Sequence, residues 1–186
     1  PRLNTAGPTL IVLAEHKEPV YDKTGLSLIT SSVRRPSPDV LDPKIHHCNL
    51  IQSILAKIEA THAGADDALM LDQRGFVAET NATHLFIVEG DIVATSRLVA
   101  CPEGITRDVV LNLCRQNDIA HEIRDYSLTE VYRADEMFCT GTMGELAPVT
   151  QVDGRTIGSG EIGSMTRRLS GLFDQCVAAE AEPVLD

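Results

Sequence analysis

At 186 residues with 43% hydrophobic content, the chain can build a real core, as one large domain or a domain plus part of another. A formal net charge of -11 and a pI near 4.9 leave no basic stripe to neutralise phosphates, which argues against a nucleic-acid partner. No apolar run approaches membrane-spanning length and no charged-then-apolar signal segment is present, so no membrane partner is expected.

The five cysteines (Cys48, Cys101, Cys114, Cys139 and Cys176) are odd in number, widely spread and free of any C-x-x-C pair. That pattern suits a reducing compartment, with neither a disulfide scaffold nor a metal site, and makes the cytoplasm the expected location. The chain opens at Pro1 and runs directly into Arg2-Leu3-Asn4, which reads like the interior of a longer protein.

Thr9 to Ala14 is a continuous apolar run of strand length, expected to be a buried strand. Leu26 to Val33 alternates partly and reads as a second strand, ended by Arg34-Arg35-Pro36-Ser37-Pro38, since two prolines in three residues suit neither a helix nor a ladder. Residues 1–35 therefore read as the end of an N-terminal α/β domain, 36–43 as a linker and 44–186 as a C-terminal domain. Ile51, Ile54, Leu55 and Ile58 recur at i, i+3, i+4 and i+7, giving a helix with one apolar face that Gly64 stops. Asp42-Pro43 fits the N-cap and first position of that helix, placing Lys44 in its first turn.

Short strands follow. Ala68–Leu71 and Phe76–Glu79 flank a hairpin at 72–75, and Thr83–Val88 and Ile92–Thr95 flank a second at 89–91. Thr106 is expected to cap a helix over roughly Arg107 to Asn117 with Val110, Leu113 and Cys114 inward. Ile119–Ile123 reads as a strand, and Ser127-x-x-Glu130 is a capping box for a short helix to about Arg133. Strands Glu136–Thr140 and Leu146–Val152 are separated by Gly141–Gly144, and Asp153-Gly154 is a hairpin turn. The last helix carries Met165, Leu169, Leu172, Phe173 and Cys176 on one face, with a frayed acidic tail from Ala178. Antiparallel hairpins with helices packed around them make the fold class α+β.

Four places could carry chemistry: Lys44 before a helix, Glu79 at a strand end, Gly104-Ile105-Thr106 opening a helix, and Thr140-Gly141-Thr142 ending a strand. A helix N-terminus offers unpaired N–H groups and the positive end of a dipole, and a strand followed by Gly-Thr exposes N–H groups in the same way, so the last two are anion-binding geometries. Singly, each has an ordinary reading: a solvated lysine, a solvated strand end, an N-cap and a turn residue.

As a set they match a family. From Lys44 to Gly163, and more loosely from Thr9, the chain resembles the class IV, fold-type IV pyridoxal-phosphate aminotransferases, which include branched-chain aminotransferases, D-amino-acid transaminases, R-selective amine transaminases and aminodeoxychorismate lyase. The matching stretches are Lys44–Leu50, Val77-Ala78-Glu79 with Leu85-Phe86, Gly104–Arg107, and Glu136–Val149. The resemblance implies that Lys44 forms the Schiff base with pyridoxal 5'-phosphate, that Glu79 faces the pyridine nitrogen, and that Ile105, Thr106 and Thr142 hold the phosphate. It also implies that Gly141, Thr142 and Met143 line the substrate side. A carboxylate beside the pyridine nitrogen favours its protonated form, and that ring is the electron sink.

The expected activity is transamination between an amino acid, of branched-chain type, and a 2-keto acid, in a homodimer. A lyase of the aminodeoxychorismate type releasing pyruvate, and a shortened domain of this fold without turnover, are the alternatives. Three positions depart from the family pattern: Asn49 where an aromatic is common, His84 where Asn is common, and the pair His46-His47 beside the lysine. Family members also carry about one further small α/β domain ahead of this point, which supplies an arginine to the phosphate.

Overall fold

The computed structural model describes residues 7, 9–15, 20, 21, 23–45 and 47–181. Nine strands form one mixed sheet in the order β3-β2-β1-β8-β7-β4-β5-β6, with β9 paired to β8. The strands are β1 (Leu26–Thr30), β2 (Asp67–Leu71), β3 (Val77–Thr80), β4 (His84–Glu89), β5 (Ile92–Thr95), β6 (His121–Ile123), β7 (Glu136–Gly141), β8 (Glu145–Val152) and β9 (Arg155–Thr156). The helices are α1 (Pro38–Leu41), α2 (Ile51–His62), α3 (Ile105–Gln116), α4 (Leu128–Arg133) and α5 (Ser164–Glu180). The β2–β3, β4–β5, β7–β8 and β8–β9 pairs are the antiparallel hairpins that the turn residues announce. The sheet is not purely antiparallel, because β1–β2, β1–β8 and β5–β6 run parallel.

Chain connectivity forces the sheet to curl. β3 lies at one end of the strand order and β4 near the other, yet only Asn81, Ala82 and Thr83 separate them in sequence. Hydrogen bonds hold the curl shut: Ser96 Oγ donates to Ala78 O (2.5 Å) and Val77 N to Tyr126 O (2.9 Å). The strands bury both faces. Along β4, Leu85 and Ile87 join a core with Leu28, Leu69 and Met137, whereas Phe86 and Val88 meet α3 and α5 through Val110, Leu111 and Leu169. Phe86 stands opposite Phe138 in register, and their rings stack at 5.0 Å.

Several local expectations change in the folded chain. Residues 9–14 form no strand, and Leu10, Ile11, Val12 and Leu13 are 76–86% exposed: an apolar run becomes a buried strand only with a ladder partner and a covering layer, and no described element supplies either. β1, read as part of the segment ahead of the linker, lies between β2 and β8 in the same sheet. Asp42-Pro43 does not start the long helix. Pro38 opens the short α1 instead, Lys44 lies in a turn closed by Lys44 N donating to Asp42 Oδ1 (3.0 Å), and α2 begins only at Ile51.

α2 seats Ala56 and Ala60 against Ala68 and Met70, because small side chains let helix and sheet approach closely. Its Ile51, Ile54, Leu55 and Ile58 stripe faces outward, 45–53% exposed. The N-cap of α3 is Gly104, not Thr106. The capping box of Ser127 and Glu130 is present as read. Helix α5 continues past Ala178 to Glu180.

Candidate functional site

The Thr80–Thr83 turn that joins β3 to β4 sets two side chains side by side. Thr80 Oγ1 accepts from Thr83 N (2.7 Å) and Ala82 N (3.1 Å), tying the turn to itself. Glu79, just before it, and His84, just after it, therefore emerge at one end of the curl. Gly104 φ is +74° with ψ 110°, a conformation that L side chains rarely adopt, and it lets the chain enter α3 sharply. The first helical bond runs from Asp108 N to Gly104 O (3.0 Å), so the N–H groups ahead of Asp108 have no helical partner. β7 and its turn bring Thr140, Gly141 and Thr142 to the same place, since Thr140 pairs with His84 across the β4–β7 ladder.

These pieces enclose a cavity of ≈ 320 Å³ lined by Glu79, Ala82, Thr83, His84, Pro102, Gly104, Ile105, Thr106, Arg107, Thr140, Gly141 and Thr142. A second cavity of ≈ 270 Å³, with Arg35, Pro43, Ile45, His47, Asn49 and Ser53 among its walls, shares Glu79, Ala82 and Pro102 with the first. Five buried side-chain polar atoms among the described residues lack a hydrogen-bond partner: Arg35 Nε, Glu79 Oε1, His84 Nδ1, Arg107 Nε and Thr140 Oγ1. Every one belongs to a residue lining one of these two cavities. Leaving a polar atom buried and unpaired costs about 1–3 kcal/mol, so such a cluster marks a surface made for a ligand.

The electrostatics fit an anionic aromatic ligand. Glu79 is 3% exposed, and burial pushes its carboxyl up to about 8, against the pull of Arg35. Arg35 Nη2 lies 2.6 Å from Glu79 Oε1 but directs its hydrogen bond to Thr80 O (2.8 Å), so Oε1 is close to a cation without being saturated. Arg107, in the first turn of α3, fixes one end of its guanidinium on Ser96 O (2.9 Å) and leaves Nε free beside the helix N-terminus. Burial, then Arg107 and Arg35, lower the His84 imidazole to about 4, so it is neutral at pH 7. Among the described residues no group of three or more His, Cys, Asp or Glu side chains could hold a metal ion.

Of the residues singled out in the sequence, Glu79, Ile105, Thr106, Gly141 and Thr142 meet at the first cavity. Lys44 and Met143 do not line it. Met143 is 63% exposed. Lys44 is exposed on the turn between Pro43 and Ile45, both of which line the second cavity. Two other lysines are engaged elsewhere, Lys23 with Glu145 (2.6 Å) and Lys57 with Asp67 (2.8 Å), and Lys17 lies outside the described residues. Arg35 and Arg107 enter the site with no role given to them by the sequence, whereas Thr140 belongs to the Thr140-Gly141-Thr142 turn singled out there.

A pyridine ring carrying a phosphate suits this donor set. The helix N-terminus, the Thr106 and Thr142 hydroxyls and Arg107 would take the phosphate, and Glu79 would take the ring nitrogen. Comparison with known proteins points the same way. Residues 2–152 match the family described as Amino-transferase class IV. The branched-chain-amino-acid aminotransferase-like protein 2 of Arabidopsis thaliana is 50% identical over 99% of this chain and 33% of that protein. The branched-chain-amino-acid aminotransferase of Pseudomonas aeruginosa is 36% identical over 85% of this chain and 52% of its own length. A crystal structure of the branched-chain amino acid aminotransferase from Thermobaculum terrenum in its PLP (holo) form superposes with a TM-score of 0.81 at 33% identity, covering 87% of this chain and 54% of that one. The chain thus spans between a third and about half of the length of these relatives.

Proposed function

The chain belongs to the class IV aminotransferase family, and on that premise we propose that it binds pyridoxal 5'-phosphate between Glu79 and the N-terminus of α3. Its reaction in this reading is transfer of an amino group between a branched-chain amino acid and a 2-keto acid. The observation that carries the reading is that, among the described residues, the five buried side-chain polar atoms without a hydrogen-bond partner cluster on residues of two adjoining cavities. The branched-chain preference rests on the names of the relatives.

When bound, pyridoxal phosphate supplies an electron sink that makes a Cα–H bond of an amino acid acidic. The chain's own residues do the rest. The N–H groups of Ile105 and Thr106, with the Thr106 and Thr142 hydroxyls, hold the phosphate and fix the ring's position. Glu79, whose carboxyl burial pushes up to about 8, brings a proton that it shares with the ring nitrogen, and the carboxylate then favours the ring cation beside it. Gly141 and Thr142 form the wall on the substrate side. Lys44 is the amine assigned to covalent attachment and to moving the proton at Cα. For that role Lys44 must bring its Nζ from the exposed turn into the cavity.

A second reading, a domain that holds the cofactor but does not turn over, is favoured by that exposed position. One experiment separates the two. The protein is loaded with pyridoxal 5'-phosphate, dialysed, treated with borohydride and digested, and the labelled peptide is identified by mass spectrometry. Label on Lys44, lost in Lys44→Ala together with amino transfer from leucine to 2-oxoglutarate, supports the first reading. Cofactor retained through dialysis with no lysine labelled supports the second. Failure to retain the cofactor at all refutes both.

A further inference from the structure

The imidazole of His84 is wedged between two working parts of the cavity. On one side Nδ1 stands 3.5 Å from Glu79 Oε2, beyond an ordinary hydrogen bond, and the side chain is only 6% exposed. On the other side its Nε2–Cδ2 edge packs on the turn that opens α3, so closely that a Cβ on Gly104 would lie 2.2 Å from Nε2. Nδ1 has no hydrogen-bond partner. The charged groups around the ring are Glu79 from β3, Arg35 from the segment after β1 and Arg107 from α3, and Cys101 from the loop before α3 stands near those same three groups.

A neutral imidazole carries one N–H. Arg35 and Arg107 bring only donors, whereas Glu79, ionised beside a bound ring cation, brings only acceptors, so with the ring in place the Nδ1–H tautomer is the one with a partner in reach. A closure of about 0.5 Å turns the 3.5 Å approach into an ordinary hydrogen bond. Oε2 would then be committed to His84, which leaves Oε1, 2.6 Å from Arg35 Nη2 but without a directed hydrogen bond, for the ring nitrogen.

We propose that His84 is a positioning residue for the cofactor ring, its Nδ1–H donating to Glu79 Oε2 so that Oε1 is aimed at the pyridine nitrogen. The proposal rests on the cofactor reading above. It adds that one side chain couples the ring's carboxylate to the turn that cradles the phosphate. Substitution of His84 therefore acts on ring recognition through Glu79.

The test uses pyridoxine 5'-phosphate, which has no aldehyde and so binds without Lys44. Its affinity for wild type, His84→Leu and His84→Asn is measured by calorimetry, with urea unfolding as the control for folding. Leu keeps bulk against Gly104 but removes the donor; Asn restores one. The expected result is at least a tenfold loss of affinity in H84L and recovery to within threefold of wild type in H84N. In parallel, the side-chain 15N shifts of His84 in the wild-type protein saturated with pyridoxine 5'-phosphate should report the Nδ1–H tautomer, a readout that does not depend on either variant folding. Unchanged affinity in H84L, no recovery in H84N, or an Nε2–H tautomer would each overturn the proposal while leaving the cofactor reading standing. Wild-type protein that does not bind pyridoxine 5'-phosphate would refute the cofactor reading and this proposal with it.

Discussion

Gly104→Ala tests the geometry of the site at its tightest point. At φ +74° and ψ 110° a residue with a Cβ is strained by about 1–3 kcal/mol. The added carbon would also meet His84 Nε2 at 2.2 Å and Cδ2 at 2.3 Å, with Arg107 Cβ at 3.3 Å. Non-bonded carbons sit at about 3.5–4.0 Å, so the imidazole would have to withdraw by more than an ångström. The space behind it is taken by Glu79, 3.5 Å from Nδ1, and overpacking of that kind costs about 1–3 kcal/mol.

Together the two effects destabilise G104A by about 2–6 kcal/mol. Gly90→Ala is the comparison: φ there is +58° with nothing within 4 Å of the added Cβ, so only the backbone part remains, about 1–2 kcal/mol. The steric part can be isolated in a cycle with His84→Ala. Removing the ring should return about 1–3 kcal/mol of the loss, as a coupling energy between the two sites. Urea unfolding of the four proteins gives these numbers directly. If G104A costs no more than G90A, or the coupling lies within about 0.5 kcal/mol of zero, the packing of His84 on this turn has been misjudged.

Three further outcomes follow from the same structure. His84 titrates at about 4 in the fold against the usual 6.5, so between those values the unfolded chain binds a proton that the native one refuses. Stability is then present above pH 6.5 and lost as pH falls, by about 3 kcal/mol at pH 4; acid titration should show H84N losing less than wild type over this window, and parallel curves would contradict it. Glu136 accepts from Met165 N (2.9 Å), Thr166 N (2.7 Å) and Thr166 Oγ1 (2.7 Å), anchoring the start of α5. Glu136→Ala should lower stability by about 1–3 kcal/mol and speed amide exchange in α5, whereas unchanged exchange would argue that core packing alone holds the helix. Leu169 is fully buried in the core with Phe86 and Phe138, so Leu169→Ala should cost about 2–5 kcal/mol in a thermal melt, against less than about 0.5 kcal/mol for Val177→Ala on the exposed side of the same helix.

The hairpins were legible because their signals are local. Asp153-Gly154 adopts positive φ at both residues, 51° and 72°, as its turn chemistry requires, and Ser127 with Glu130 forms its capping box with residues three apart. Glu79, Gly104-Ile105-Thr106 and Gly141-Thr142 were found for a related reason: each is a strand end or helix start that exposes a particular backbone or carboxylate group, and the family pattern fixes their order. Arg35 and Arg107 could not be read that way. An arginine beside a proline, or one turn into a helix, looks solvated until the fold encloses it.

Sequence by itself determined the element types of the hairpin region and the family. Only tertiary structure decided which apolar faces are used. Ala56 and Ala60, not the Ile51–Ile58 stripe, seat α2 on the sheet, because close approach rewards small side chains more than large ones. The curl is also tertiary, since β3 and β4 are near neighbours in sequence but far apart in strand order. That curl brings Glu79, His84 and the start of α3 to one cavity, and it leaves Lys44 on an exposed turn outside. Position along the chain says which residues are available, whereas burial and register say which of them meet.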